Sequence, residues 1–171
     1  MTYSIHPILV HFPIALLVVY SGIKILPLSR WFPLVAWTHI ERALLLVGVL
    51  GAFASLSSGE SAEHLTTASH QLVETHAFFA SAATWLYGIL LAGEVLTVLN
   101  PWFLPRLNIQ FVSRLFTWLQ RVITRPFLSK LIAFLALIAI ALTGLLGGVM
   151  VYGVTADPLA PFVLKLLNIT L

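Results

Sequence analysis

The stretch "HPILVHFPIALL" (residues 6–17) sets His6 and His11 in a run that is otherwise apolar. Neutral imidazole is a ligand for transition metals and haem iron, and it carries protons near neutral pH. Four further histidines follow, His39, His64, His70 and His76, the last three among Glu60, Glu63 and Glu74. The chain has no cysteine, which excludes disulfides, thiolate metal sites, iron–sulfur clusters and covalent c-type haem attachment. Any metal or haem must therefore be held by histidine, carboxylate or weaker ligands.

Two chemistries suit this set. Two imidazoles at one depth on facing helices satisfy the iron of a non-covalent haem b; His11 and His76 are the expected axial pair. His6 and His64 are alternatives, or ligands of a second haem. Mixed His and Glu ligands also suit a divalent transition metal, drawn from His11, His76, His6, His64 and Glu60. Glu60 and His64 are four apart and would share one face of a helix. Glu60 could instead orient a liganding His or, like Glu63 after Ser58, favour the start of a helix.

Elements able to position these residues follow from composition. Of 171 residues, 60% are hydrophobic and 9% charged, with mean hydropathy +1.01. Too few charges are present to solvate the surface of a soluble domain, so a soluble enzyme is excluded. The net charge of +3 resides mainly in short loops, a pattern of membrane topology and not of nucleic-acid binding. The N-terminus, MTYSIH, lacks a basic segment and a small-residue cleavage site, so the first apolar run is expected to be a retained span.

A helical span needs about 20 apolar residues. Four segments qualify: about 8–26, 40–58, 73–99 and 131–152. The expected fold is all-α, a single integral membrane domain (1–171) built as a four-helix transmembrane bundle. A cytoplasmic-face amphipathic helix is expected at about 107–125. Arg106, Arg114, Arg121 and Arg125 share one arc there, and Phe111, Leu115, Trp118, Leu119 and Val122 face the other way. As a fifth span it would bury arginines at a few kcal/mol each.

Lys24, Arg30 and Arg42 fall in the first loop, and four arginines and Lys130 in the third, so both loops should be cytoplasmic. The second loop (58–76) has no Lys or Arg and should face outside, with both termini. "PLAPFVLKLL" (158–167) is too short to span and is expected as a short outer helix. Five of the six histidines then meet at the outer side, and only His39 lies opposite.

Small residues and prolines add to this picture. Gly144 and Gly148, four apart with Gly147 beside them, allow a helix or a flat macrocycle to approach the backbone. Pro7 suits a first helical turn. Pro13 leaves the carbonyl of Leu9 without its usual donor, close to His11.

"HPILVHFPIA" (6–15), "SGESAEH" (58–64), "ETHAFF" (74–79) and "TGLLGGVMVYG" (143–153) resemble the bacterial membrane family catalogued as domain of unknown function 2231. The resemblance implies a four-span inner-membrane protein with no assigned reaction. Some relatives accompany c-type cytochrome domains, which implies redox company. On the matching positions it implicates His6, His11, Gly59 and His76. Family members often carry His–Glu where this chain has His76–Ala77.

Three functions compete. The first is a b-type cytochrome passing electrons between quinone and an outside partner such as a c-type cytochrome. The second is a His/Glu metal or proton site; transport is disfavoured because only Glu94 is polar enough for a relay in the inner half. The third is a structural or pigment-ligating subunit of a larger respiratory or photosynthetic complex. A homo-oligomer is compatible with each.

Overall fold

The computed structural model describes residues 5–103 and 110–170. Seven α-helices lie among them: α1 (His6–Ile25), α2 (Leu28–Trp31), α3 (Trp37–Glu63), α4 (His70–Phe103), α5 (Gln110–Ile123), α6 (Pro126–Tyr152) and α7 (Ala160–Leu166). No strand occurs among the described residues. Four helices, α1, α3, α4 and α6, are long and apolar enough to cross a membrane. They run past the apolar limits read from the sequence because helical backbone bonding continues into polar flanks. The 34 residues of α4 correspond to about 50 Å, against about 30 Å of hydrocarbon.

The four long helices alternate in direction and pack in the cyclic order α1, α3, α4, α6. Each places its small and apolar residues on one stripe. In α3 the buried stripe is Leu45, Gly48, Val49, Ala52 and Ser55; in α6 it includes Ala133, Ala136, Ile140, Thr143 and Leu146. Small residues bring backbones together where no hydrophobic effect operates between helices in lipid. At Gly48 a Cβ would stand 2.7 Å from Leu17 Cδ2, so any larger residue would force the buried Leu17 side chain to shift. The outward surface is apolar too. Only 22% of the apolar window of α1 is buried within the protein, and exposed side chains include Ile8, Phe12, Val18 and Val19. Such a surface is suited to lipid, not water.

Polar contacts tie the diagonal pair α1 and α4 to each other and to α3. At one end Lys24 Nζ lies 2.9 Å from Glu41 and 3.9 Å from Glu94, while Arg42 Nε donates to Glu94 at 3.0 Å. At mid-height Tyr20 and Tyr87 meet edge to face, ring centroids 6.1 Å apart. Ser21 and the Tyr87 hydroxyl are 2.7 Å apart there. At the opposite end lie the histidines.

α5 docks on α4, with Ile123 packed on Gly93 and Asn100 hydrogen-bonded to Gln120. Arg114 and Arg121 are exposed, as are Phe111, Leu115 and Trp118. Arg106 and positions 107–109 of the expected amphipathic helix lie outside the described residues. Beyond a 3-10 turn (Val154–Ala156), α7 folds over the histidine end. It forms a small second core from Leu72, Leu146, Val149, Ala160, Leu164 and Ile169. Gln71 Nε2 donates to the Asn168 carbonyl at 2.9 Å and secures the tail.

Candidate functional site: a histidine pair at one end of the bundle

His6 opens α1, and Pro7 in its first turn removes an N–H that would have no helical partner. His76 lies in the second turn of α4. Both lie in register with the buried stripes of their helices. Positions 6, 13, 17 and 20 follow steps of seven, four and three, and Pro13, Leu17 and Tyr20 are buried. Positions 76, 83, 87 and 90 repeat the same steps, and Ala83, Tyr87 and Leu90 are buried. The two imidazoles thus point into the bundle from opposite corners and lie within electrostatic range of each other.

Each ring rests on a glycine of a neighbouring helix. A Cβ at Gly59 of α3 would be 3.2 Å from His6 Cε1, and one at Gly147 of α6 would be 3.2 Å from His76 Cε1. Larger residues would displace the rings, so all four long helices shape the site.

Hydrogen bonds orient both rings. His76 Nδ1 lies 3.0 Å from the Thr143 carbonyl, which only accepts, so Nδ1 carries the proton and the lone pair of the neutral ring belongs to Nε2. His6 Nδ1 lies 2.9 Å from Ser58 Oγ, and the His6 ring also bonds the Ser55 carbonyl, to which the Ser58 hydroxyl donates at 2.9 Å. Liganding histidines are commonly held in this way, one nitrogen tied to the protein and the other basic.

His11 does not join them. It is exposed, and its Nδ1 bonds the Pro7 carbonyl of its own helix. Five residues at about 100° each set His11 about 140° around the helix from His6. Of the expected axial candidates, His6 and His76 are turned toward the bundle and His11 is not. Pro13 is likewise a packing residue, its ring buried against Gly51 of α3.

His64 caps the end of α3 and is exposed, as is Glu60, so their side chains are not drawn into the bundle. His70 pairs with Glu74 at 3.1 Å on the surface. Among the described residues no three His, Asp or Glu side chains converge to hold a metal ion. A Cβ at Gly144 or Gly148 would meet nothing within 4 Å; the close-approach glycine of α6 is Gly147. Sequence reasoning missed Ser58 and Thr143 as the groups that orient the rings. The stripe registers of α3 and α6, which carry Gly59 and Gly147 toward the same end, were the available signal.

No family model, no curated protein and no solved structure matches the chain.

Proposed function

We propose that the chain is a bacterial inner-membrane electron-transfer protein whose His6 and His76 hold a haem b near the outer face. The observation that carries this reading is the pair of rings at one end of the bundle, each held at Nδ1 by a neighbouring helix. The donor set fits haem better than a bare ion. A porphyrin supplies four of six iron ligands and asks two of the protein, whereas a structural zinc asks four and a catalytic one three. The chain brings two imidazoles together and, among its described residues, no third ligating side chain.

Bound haem would supply reversible one-electron chemistry with no open coordination position when both axial sites are imidazole. The protein's own contribution is orientation. Thr143 and Ser58 set ring direction and ligand basicity, Gly147 and Gly59 set ring depth, and the apolar core below limits water. Of the four residues that the resemblance to the family of unknown function implicates, His6, Gly59 and His76 lie together here and His11 does not. A quinone or an outside c-type cytochrome is the expected exchange partner. In this reading the Lys24 end faces the cytoplasm, and α5 lies in the headgroup plane with Arg114 and Arg121 toward phosphate.

Titration of haem into detergent-purified protein tests the proposal. One haem per chain with a low-spin spectrum is the expected result. Uptake of no haem, with a stoichiometric transition metal found instead, would contradict it and favour the metal-site reading.

A further inference from the structure

At the end opposite the histidines, a cavity of about 610 Å3 opens where α1, α2, α3 and α6 meet. Its lining includes Lys24, Arg30, Lys130, Glu41, Trp37 and Ser129. Three cations thus face one carboxylate. Lys24 is engaged by Glu41 and Glu94, but Arg30 and Lys130 pair with no carboxylate among the described residues. Lys130 Nζ donates to the carbonyl of Ile25 at 3.2 Å, which holds the ammonium at the cavity rim with donors to spare. Excess positive charge in a concave polar site selects an anion.

The surroundings say which anion. Directly beside the cavity, the α2 turn and its exit expose Trp31, Phe32 and Leu34, the last fully. These apolar side chains lie at the end of the bundle, where the membrane-spanning helices begin and finish. A ligand bound here meets cations at one end and an apolar, aromatic surface at the other. That is the chemistry of an anionic phospholipid and not of a soluble phosphate. The volume falls within the range of small-molecule sites and exceeds a phosphoglycerol headgroup.

We propose that this cavity is a binding site for the headgroup of an anionic phospholipid, its phosphodiester held by Arg30 and Lys130 and its acyl chains running along Trp31, Phe32 and Leu34. Occupancy would link α1 to α6 through one lipid and fix the depth of the bundle in the leaflet at that end. The site is independent of any haem at the other end.

Native mass spectrometry of the full chain in detergent, titrated with short-chain phosphatidylglycerol or phosphatidylcholine, tests this. The phosphatidylglycerol adduct should dominate. Removing both cations (Arg30→Gln with Lys130→Gln) should weaken it roughly 30-fold, from about 1 kcal/mol for each basic residue at an anionic surface. The conservative exchange Arg30→Lys with Lys130→Arg should retain it. Three outcomes would overturn the proposal: equal binding of the two lipids, an unaffected Gln variant, or displacement by glycerol phosphate at concentrations comparable to the lipid. The last would make the cavity a soluble-anion site.

Discussion

His76 donates its Nδ1 proton to the carbonyl of Thr143 across 3.0 Å, from α4 to α6, and this bond decides which nitrogen of the ring is basic. Thr143 Oγ1 is itself bonded to Ala139 at 2.8 Å, so the acceptor belongs to an ordered turn of α6. The Thr143 side chain is not the acceptor, so Thr143→Val should leave ligand binding nearly intact.

The neighbouring glycine gives a sharper test. A Cβ at Gly147 would meet His76 Cε1 at 3.2 Å, and the ring must yield by a few tenths of an ångström. Gly147→Val should cost about 1–3 kcal/mol of stability and lower ligand affinity in the same protein. Gly144→Ala and Gly148→Ala, which meet nothing within 4 Å, should leave affinity unchanged. Thermal unfolding and ligand titration of the three variants separate these effects.

Ser58→Ala removes a hydrogen-bond partner of His6 Nδ1 and loosens the hold on the ring. Loss of such an orienting group typically costs 10–100-fold in ligand affinity, so at least a tenfold loss is expected here. Ser57→Ala, one position away on the exposed surface, should have no effect on the same titration.

At the other end, Glu94 accepts from Arg42 at 3.0 Å and lies 3.9 Å from Lys24. Glu94→Gln should destabilise the bundle by about 2 kcal/mol, because two cations partly shielded from water lose a countercharge. A double-mutant cycle with Arg42→Gln in detergent unfolding should return a coupling energy above about 0.5 kcal/mol. A purely additive pair would mean that the contact does not hold α3 to α4.

Orientation can be checked cleanly because the chain has no cysteine. Glu60→Cys should react with an impermeant thiol reagent added outside intact cells, and Arg30→Cys should react only after lysis. The reverse pattern would place the histidine end in the cytoplasm.

Four spans and a shared end for most histidines were legible in the sequence, because length and hydropathy determine spans and loop charge orders them. Which histidines turn toward the bundle was legible in principle from the helical stripe. Depth was matched, which favoured His11 with His76, while angle around the helix was not. His6 shares the buried stripe of Pro13, Leu17 and Tyr20, whereas His11 falls on the exposed side with Ala15 and Val18. Ser58 and Thr143 were not legible as orienting groups, since a serine near a loop and a threonine in a span have many local partners. Lys24 and Arg42 read as loop charges; their partner Glu94 is far away in sequence and meets them only after the bundle closes. That cluster makes the charged end richer in polar groups than the sequence suggested. It does not join the histidines, because His76 and Glu94 are eighteen residues apart, about 27 Å along α4, and Ala83, Tyr87, Ala136 and Ile140 fill the interval.

The most direct test of the central claim is the reduced-minus-oxidised visible spectrum of the purified protein, compared with His6→Ala, His76→Ala and His11→Ala. The account predicts resolved α and β bands in the native chain and in His11→Ala, and their loss in His6→Ala and His76→Ala. A colourless native protein after haem addition, or bands that survive loss of His6 and vanish with His11, would contradict it.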